Sequence, residues 1–348
     1  MPEPFFSICI VTGRRTDLLE ACLASLADQQ DAPPFELLVA ADRDATVAAQ
    51  VFARFPEAKV AAVEPSFPGA ARNVLIDAAR GTWLLFLDDD VTFPRGLLRR
   101  FADLAALHPE ALVLGGPNET PPRSSRFQVV QGAVLSSVVA SGPVRRRYGP
   151  HPAGTADERW FILCNLAVRR DAMVPFASDL ACAEENQMLN ELSGRGYPMH
   201  YDPKLAVFHE RRSTFGGFWR QMRKYGLGRG QLLRRDPSSL RLAFLLPSAL
   251  LAYLVAAPLA VLATGSMVPA IPLLVYVAGV LAGAARVAVT LRRPSAMAWA
   301  MALIPTVHVA YGAGVVAGVV SHTRPRRVRS TPKARWVAMS AEHPRREP

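Results

Sequence analysis

The sequence predicts an α/β protein with a doubly wound sheet, followed by helices that cross a membrane. Short apolar runs alternate with amphipathic helical stretches over residues 6–92, and this alternation is typical of sheets whose parallel strands are joined by helices. One apolar run, residues 83–87, ends in three consecutive aspartates. Residues 242–285 contain no Asp, Glu, Lys or Arg, and this length is enough for two membrane spans of about 20 residues each.

The predicted strands and helices follow one another in a regular order. Apolar runs bounded by turn residues predict strands at residues 6–11, 35–40, 59–63, 83–87, 112–114, 161–168 and 199–208. Apolar residues at helical spacing predict helices at residues 17–26, 47–55, 70–79, 94–107 and 179–194. We expect residues 115–126 to form a loop rich in Pro and Gly, and the polar stretch 144–159 to be mobile.

Asp88, Asp89 and Asp90 directly follow the strand predicted at residues 83–87. Ligands of open α/β sheets lie outside the carboxyl ends of the strands, so these side chains are candidates for a binding site. Adjacent carboxylates repel one another unless a cation or hydrogen-bond donors compensate them. Mg²⁺ and Mn²⁺ favour oxygen ligands and bridge to substrate phosphates. From these residues alone, the alternative is a solvated turn or a helix N-cap, where Asp is common.

The net charge of +11 is carried mostly by arginine. Such a balance suits nucleic acid, an anionic membrane face or phosphorylated substrates. The sequence has no zinc-finger spacing, RNP-like aromatic motif or basic heptad region, which argues against nucleic acid as a partner. The arginines cluster beside apolar segments, which favours membrane lipid as a partner. The four cysteines form no CxxC pair, and we expect them to be buried thiols in a reducing compartment.

A third uncharged stretch, residues 294–323, follows the two predicted spans. Pro305 and several glycines leave open whether it spans the membrane or forms a re-entrant or interfacial helix. Arginines before the first span and between the second and third predict a multi-pass membrane protein with its large N-terminal domain in the cytoplasm. The basic tail after residue 323 also favours the cytoplasmic side, whereas three complete spans put it outside. The sequence leaves this conflict open.

Two segments resemble the family 2 glycosyltransferases, which have a GT-A fold. Residues 68–91, PGAARNVLIDAARGTWLLFLDDDV, look like the ARN, A-x-G and DxD signature of that family in order. Residues 183–209, AEENQMLNELSGRGYPMHYDPKLAVFH, look like its E-D-x-x-L-x-x-x-L-x-x-x-G-Y segment and the following strand that ends in His. The C-terminal segments are similar to membrane-anchored members that build bacterial exopolysaccharides on lipid carriers.

The resemblance implies a GT-A-type, Rossmann-like mixed sheet followed by C-terminal transmembrane helices. It also implies an inverting, metal-dependent transfer of a sugar from a nucleotide diphosphate sugar to a lipid-linked saccharide or a polyprenyl phosphate, at the cytoplasmic face of the cell membrane. We therefore expect a catalytic domain, a basic amphipathic juxtamembrane segment, a membrane domain of about three helices and a basic disordered tail, at residues 1–210, 211–241, 242–323 and 324–348.

The resemblance gives catalytic and metal-binding roles to residues of both segments. Glu185 stands where the family has its catalytic base, and Glu184 is its neighbour, able to raise its pKa or orient the acceptor. Asp90 is the expected metal ligand, with Asp88 and His209 as further ligands of Mg²⁺ or Mn²⁺. The alternatives are a surface helix carboxylate for Glu185 and a structural histidine for His209.

The nucleotide sugar donor is expected to contact several parts of the chain, namely Asp42, Arg72, Asn73, Asp88, Asp89, Arg220 and Arg223. Arg220 and Arg223 are three residues apart on a predicted helix, so both guanidinium groups can reach one diphosphate. The alternatives are a plain turn residue for Asp42, a pair with Asp77 for Arg72, and contact with anionic lipid for the two arginines of the basic segment.

The sequence also departs from the family pattern. Residues 41–44 read Ala-Asp-Arg-Asp where two aspartates followed by Gly-Ser are usual, and residues 11–14 read Val-Thr-Gly-Arg where Pro-Thr-Tyr-Asn is common. Glu185 replaces an aspartate and is longer by one methylene group. A degenerate transferase that acts as a membrane scaffold, or a nucleotidyltransferase, is therefore the alternative function. Residues 221–224 match only half of the Q-x-x-R-W motif of processive synthases, so we expect addition of a single sugar.

Overall fold

The structure is a computed structural model that describes residues 3–13, 16–42, 45–64, 67–180, 182–321 and 334–337. The strands are β1 Phe6–Thr12, β2 Phe35–Asp42, β3 Lys59–Val63, β4 Trp83–Asp88, β5 Val91–Thr92, β6 Val113–Gly115, β7 Asn118–Glu119, β8 Gly154–Thr155, β9 Asn165–Arg169, β10 Met199–Tyr201, β11 Val207–His209 and β12 Ala334–Val337. The α-helices are α1 Thr16–Ala27, α2 Ala45–Arg54, α3 Pro68–Ala78, α4 Leu97–Leu107, α5 Arg126–Leu135, α6 Val138–Ser141, α7 Glu184–Gly194, α8 Phe215–Arg235, α9 Leu242–Thr264, α10 Ile271–Thr290 and α11 Ala296–Val320.

Nine of these strands form one mixed sheet, in the order β12-β3-β2-β1-β4-β9-β6-β10-β8. The strands β3, β2, β1 and β4 are parallel, and β9 is antiparallel to both of its neighbours. Successive side chains of β1 face opposite sides: Ile8 and Ile10 pack with α1, α2 and α4, and Cys9 packs with α3 and α7. A strand covered on both faces is apolar throughout. The predicted doubly wound, mixed α/β sheet is confirmed.

The chain changes direction across the sheet between β1 and β4. From β1 it proceeds to β2 and β3 on one side, and it returns to β4 on the other. Such a switch point leaves a crevice at the carboxyl ends of the two strands. A second, three-stranded sheet of β5, β11 and β7 lies at this end, and its pairing sets His209 opposite Val91. The topology therefore brings His209 beside the aspartates that follow β4.

Several boundaries differ from those predicted. Gly142–Tyr148 is a 3₁₀ helix that buries Arg147, so the expectation of a mobile stretch at residues 144–159 was wrong there. The helix predicted from residue 179 begins at Glu184, because Ala183 has a left-handed backbone with φ 69°. The extended piece predicted at residues 199–208 is two strands, β10 and β11, separated by a 3₁₀ turn at Pro203–Leu205. The proline lacks the backbone donor that a central strand needs.

The three C-terminal helices α9, α10 and α11 are long and apolar enough to cross a membrane. They differ in how much protein covers them: the most apolar 18-residue window is 0% buried in α9, 17% in α10 and 50% in α11. The short helices α5 and α6 pack with α8, α10 and α11 in one apolar core. Packing therefore joins the C-terminal apolar helices to the N-terminal α/β domain across the boundary that we expected at residue 210.

The helices α8 and α11 approach each other closely along glycines. A Cβ atom on Gly226 or Gly230 would collide with main-chain atoms of α11, and one on Gly314 or Gly318 would collide with main-chain atoms of α8. In each helix the two glycines are four residues apart, the small-xxx-small pattern that permits close packing of membrane helices. The other side of α8 packs on the catalytic domain, since a Cβ on Gly228 would meet the Cys182 carbonyl oxygen at 2.5 Å.

The expected disordered tail contains a strand within its described part. Residues 334–337 form β12, which pairs antiparallel with β3 at the edge of the large sheet. The other residues of the tail, from 324 onward, lie outside the described part of the chain. The four cysteines are free, and Cys9, Cys22 and Cys164 are buried, as the sequence predicts.

Candidate active site

Asp88, Asp90 and His209 form a cluster that is suited to a divalent metal ion. One ligand atom from each side chain lies within 4.8 Å of the others, and Nε2 of His209 is 3.1 Å from Oδ1 of Asp90. Burial raises the pKa of the Asp88 carboxyl, and the neighbouring Asp90 charge adds to this rise while Arg72 opposes it. A divalent cation would favour the ionised carboxylates. Two carboxylates and an imidazole are a donor set that fits Mn²⁺.

The middle aspartate has a different role from its neighbours. Asp89 is buried, and Oδ2 accepts a hydrogen bond of 2.7 Å from Thr12 Oγ1 at the end of β1. Its carboxylate is not part of the metal cluster. Asp89 therefore ties the carboxyl end of β1 to the turn after β4. It also lines the cleft, and its contact with the donor remains a prediction.

Arg72 connects the two sequence segments that carry the resemblance. From α3, its guanidinium donates to Oε1 of Glu184 at 2.5 Å and to Oδ1 of Asp88 at 3.1 Å. Arg72 and Glu184 are both buried. The sequence analysis named Asp77 as an alternative partner of Arg72. In the structure Arg72 pairs with Glu184 and Asp88 instead, because α3 directs its side chain to the carboxyl end of β4.

Glu185 lies in the first turn of α7 and lines the same cleft. Oε1 accepts a hydrogen bond of 2.9 Å from Nδ2 of Asn186, and Nη1 of Arg147 is 3.9 Å from the same oxygen. Burial raises the pKa of the Glu185 carboxyl, the Glu184 charge raises it further, and Arg147 opposes both. A carboxylate whose pKa is raised toward neutrality is suited to general-base chemistry.

The cleft between these groups has a volume of about 1140 Å³ and extends to the apolar helices. Polar residues of the catalytic domain line one part of it, including Asp88, Asp90, Glu185 and His209. Residues of α9, α10 and α11 line another part, among them Phe244, Leu250, Tyr276 and Tyr311. The candidate active site therefore extends from the Asp88–Asp90–His209 cluster toward the apolar helices α9, α10 and α11.

The remaining predicted donor contacts are distributed unevenly around the cleft. Arg220 lines it, whereas Arg223 is exposed and lies with Trp219 and Leu227 on an adjoining surface that shares Arg220 and Lys224 with the cleft. The side chain of Asn73 is engaged at both ends by the Phe176 backbone, through hydrogen bonds of 3.0 and 2.9 Å.

Neither Arg223 nor Asn73 lines the cleft, and the predicted contacts of these two side chains with the donor remain predictions. Lys224, four residues after Arg220, lines the cleft in place of Arg223. Residues four apart share a helix face. Asp42 ends β2, and its side chain lies outside the described part of the chain.

Sequence reasoning missed Arg147, Asn186 and Arg229. All three are buried and line the cleft. Arg147 belongs to the polar stretch 144–159. Its neighbours show no helical or strand periodicity of hydrophobic residues, so the sequence does not indicate that Arg147 is buried. Arg229 lies between two glycines, Gly228 and Gly230. The glycines spaced along the basic segment were the signal in the sequence that could have predicted a buried face of α8.

Comparison with known proteins supports this architecture. The family model Glycosyl transferase family 2 matches residues 7–161, which confirms the resemblance drawn from the motifs. No curated protein matches the chain significantly. Among solved structures, the mannosyltransferase PcManGT from Pyrobaculum calidifontis, in complex with GDP-Man and Mn²⁺, is similar with a TM-score of 0.62 and 16% sequence identity, over 91% of this chain and 88% of that one. The likeness confirms the GT-A fold.

A second solved structure, S. aureus TarS 1-349 in complex with UDP-GlcNAc, has a TM-score of 0.46 and 16% identity over 90% of each chain.

Proposed function

We propose that the protein, whose residues 7–161 match the family model Glycosyl transferase family 2, transfers a sugar from a nucleotide diphosphate sugar to a lipid-linked acceptor, with inversion at the anomeric carbon. The observation that carries this proposal is the single cleft that joins the Asp88–Asp90–His209 cluster, Glu185 and apolar residues of the membrane helices. A soluble acceptor would not require an active site that is continuous with lipid-facing helices.

The donor end of the cleft is assigned to the metal cluster. Asp88, Asp90 and His209 would hold Mn²⁺ or Mg²⁺, and such an ion supplies charge compensation for a departing diphosphate. Arg220 and Lys224 line the cleft and add positive charge. The neighbour PcManGT holds GDP-Man and Mn²⁺, which supports a nucleotide diphosphate sugar as donor and a divalent metal as cofactor.

Glu185 is assigned the role of general base toward an acceptor hydroxyl. In an inverting displacement one carboxylate removes the acceptor proton while the acceptor oxygen attacks from the face opposite the leaving group. Glu185 lines the cleft, and the hydrogen bond from Asn186 fixes the direction of its carboxylate. Glu184 also lines the cleft, but its carboxylate is engaged by the Arg72 guanidinium. It raises the pKa of Glu185 by its charge.

We further propose that the catalytic domain and the tail both lie in the cytoplasm. The positive-inside rule supports this side for the domain. The pairing of β12 with β3 requires the tail to be on the same side as the sheet, so the helices between them make an even number of complete crossings. The exposed helices α9 and α10 are the proposed crossing hairpin. The helix α11 packs along α8 and is half covered by protein, so it is proposed to stay at the level of the cleft.

The proposal is tested with the full-length protein in detergent or in membranes. A panel of nucleotide sugars is offered with farnesyl phosphate as an artificial acceptor, with Mn²⁺ present or chelated, and glycolipid formation is measured. We expect turnover of one donor, loss of turnover on chelation, and loss in Asp90→Ala and Glu185→Gln. Glu191→Gln, which changes an exposed carboxylate of the same helix, is the matched control. Undiminished transfer by Asp90→Ala and Glu185→Gln would remove the site assignment.

A further inference from the structure

Two buried arginines in the cleft have no role in the proposed reaction so far. Arg147 lies in the 3₁₀ helix Gly142–Tyr148 and Arg229 in α8, and they are only 7% and 9% exposed. Both donate to Oδ1 of Asn186, Arg147 at 2.8 Å and Arg229 at 3.1 Å. Two guanidinium groups from distant parts of the chain therefore meet at one neutral amide oxygen.

The positive charge of this pair is poorly compensated by the protein. Arg147 donates to the carbonyl oxygens of Arg159 and Glu158. Its carboxylate neighbour among the described residues is Glu185, at 3.9 Å. Arg229 lies over the ring of Phe244, with Cζ 4.1 Å from the ring centroid, and no carboxylate of the described chain lies within 4.0 Å of it. Because burying an unpaired charge is costly, an anionic ligand would stabilise the pair.

The position of the pair indicates which anion it would bind. The metal cluster accounts for the diphosphate of the donor, whereas Arg147 lies beside the proposed base Glu185, on the acceptor side. Arg229 lies over the ring of Phe244, the third residue of α9, and Leu246, Pro247 and Leu250 continue the cleft along that helix. A phosphate at the arginines would therefore leave an attached hydrocarbon chain against apolar residues.

We propose that Arg147 and Arg229 bind the phosphate group of the lipid acceptor and place its reactive end beside Glu185. This assignment rests on the proposed function. Guanidinium groups recognise phosphate through parallel N–H donors, and the shared Asn186 fixes the separation of the two groups. The phosphate belongs either to a lipid monophosphate or to a diphosphate that links lipid and saccharide.

Binding is measured on the full-length protein in detergent, without donor, with farnesyl phosphate, farnesyl diphosphate and uncharged farnesol as probes. We expect both anions to bind the wild-type protein at least about tenfold more tightly than farnesol, and Arg229→Gln and Arg147→Gln to lower their affinity by about tenfold or more, the worth of a charged hydrogen bond. The ratio of the affinities for farnesyl phosphate and farnesyl diphosphate shows whether the site prefers a lipid monophosphate or a diphosphate. Arg99→Gln, at an exposed ion pair of α4, controls for the change in charge.

Binding of Mn²⁺ with GDP or UDP separates this site from the donor site. We expect that affinity to be unchanged in the arginine variants, and a parallel loss would assign the arginines to the donor and overturn the proposal. Equal binding of farnesol and farnesyl phosphate by the wild type would also overturn it.

Arg147→Lys and Arg229→Lys keep the charge, and their thermal unfolding shows whether an effect comes from misfolding. If the wild type transfers sugar but the variants bind farnesyl phosphate normally, only this inference fails. If farnesyl phosphate binds as expected but no donor is turned over, only the proposed function fails.

Discussion

The guanidinium of Arg72 and the carboxylate of Glu184 form a buried ion pair, 2.5 Å between nitrogen and oxygen, that joins α3 to the first turn of α7. The second guanidinium nitrogen reaches Asp88 at the end of β4. One side chain therefore holds the aspartate turn and the glutamate pair at a fixed separation, although Arg72 and Glu184 are 112 positions apart in the sequence.

Replacing Arg72 by Gln is expected to lower the free energy of unfolding by about 3–5 kcal/mol, because it leaves a buried carboxylate unpaired. Chemical denaturation of the solubilised protein measures this change. In the double variant Arg72→Gln/Glu184→Gln the buried charge is absent, so stability is expected to recover in part. If the double variant is as unstable as the sum of the two single variants, the ion pair is not the cause.

The metal cluster predicts different effects for neighbouring aspartates. Asp90→Asn and His209→Ala each remove a ligand and are expected to weaken Mn²⁺ binding by about tenfold or more. Asp89→Asn alters a carboxylate that is bonded to Thr12, so its Mn²⁺ affinity is expected to stay close to that of the wild type. Calorimetric titration with Mn²⁺ compares the three variants. Equal losses in all of them would contradict the separation of roles within the triplet.

The pH dependence of transfer to a hydroxyl acceptor is expected to depend on Glu185. The base is active when ionised and burial raises its pKa, so the rate should rise with pH through a midpoint above that of an ordinary glutamate. Arg147→Gln removes a charge that lowers this pKa and should move the midpoint to higher pH. Glu185→Gln should reduce the rate by about 10²–10⁴-fold and abolish this limb of the profile.

The same pKa shift has a consequence for stability. A carboxyl whose pKa is raised in the folded state stabilises the fold when protonated, below its unfolded pKa, and loses this contribution as the pH rises through the folded pKa. Glu185→Gln should therefore unfold at a higher temperature than the wild type at neutral pH, and the difference should vanish at acidic pH. An unfolding temperature below that of the wild type at neutral pH would contradict this reading of Glu185.

The glycine contact between α8 and α11 predicts a steric effect. Gly226→Ala places a methyl group against the carbonyl oxygen of Tyr311 and is expected to destabilise the protein by about 1–3 kcal/mol, the usual cost of overpacking. Gly279→Ala in α10 is the matched control, because a Cβ there meets no atom within 4 Å. Thermal unfolding in detergent compares the two. Equal stability of both variants would mean that the helices do not pack in this way.

The proposed topology predicts which positions are reached from each side of the membrane. A cysteine at Met267, which is exposed in the turn between α9 and α10, should react with an impermeant thiol reagent added outside intact cells. A cysteine at Ser340 in the tail should react only after permeabilisation. Labelling of the tail position from outside would mean that α11 crosses the membrane and would exclude the pairing of β12 with β3 in the cell.

Local sequence determined the strands, the aspartates of the candidate metal site and the apolar helices that are long enough to span a membrane. The strands β1, β3 and β4 are mostly apolar in sequence, because both faces of such strands are buried. The aspartate triplet after β4 and the uncharged stretches of α9 to α11 are equally local signals. The aspartate triplet identified Asp88 and Asp90 as site candidates, the family resemblance added Glu185 and His209, and the structure brings all four to one cleft.

Tertiary structure alone decided how the arginines and the tail are used. Arg72 could not be paired from sequence, because its partners Asp88 and Glu184 are brought to it by the order of the strands. Arg147 and Arg229 meet at Asn186 only after α7, α8 and a 3₁₀ helix have packed together. The side of the tail depends on a strand pairing with β3. In each case the deciding contact joins segments far apart in the chain, and no local pattern records such a contact.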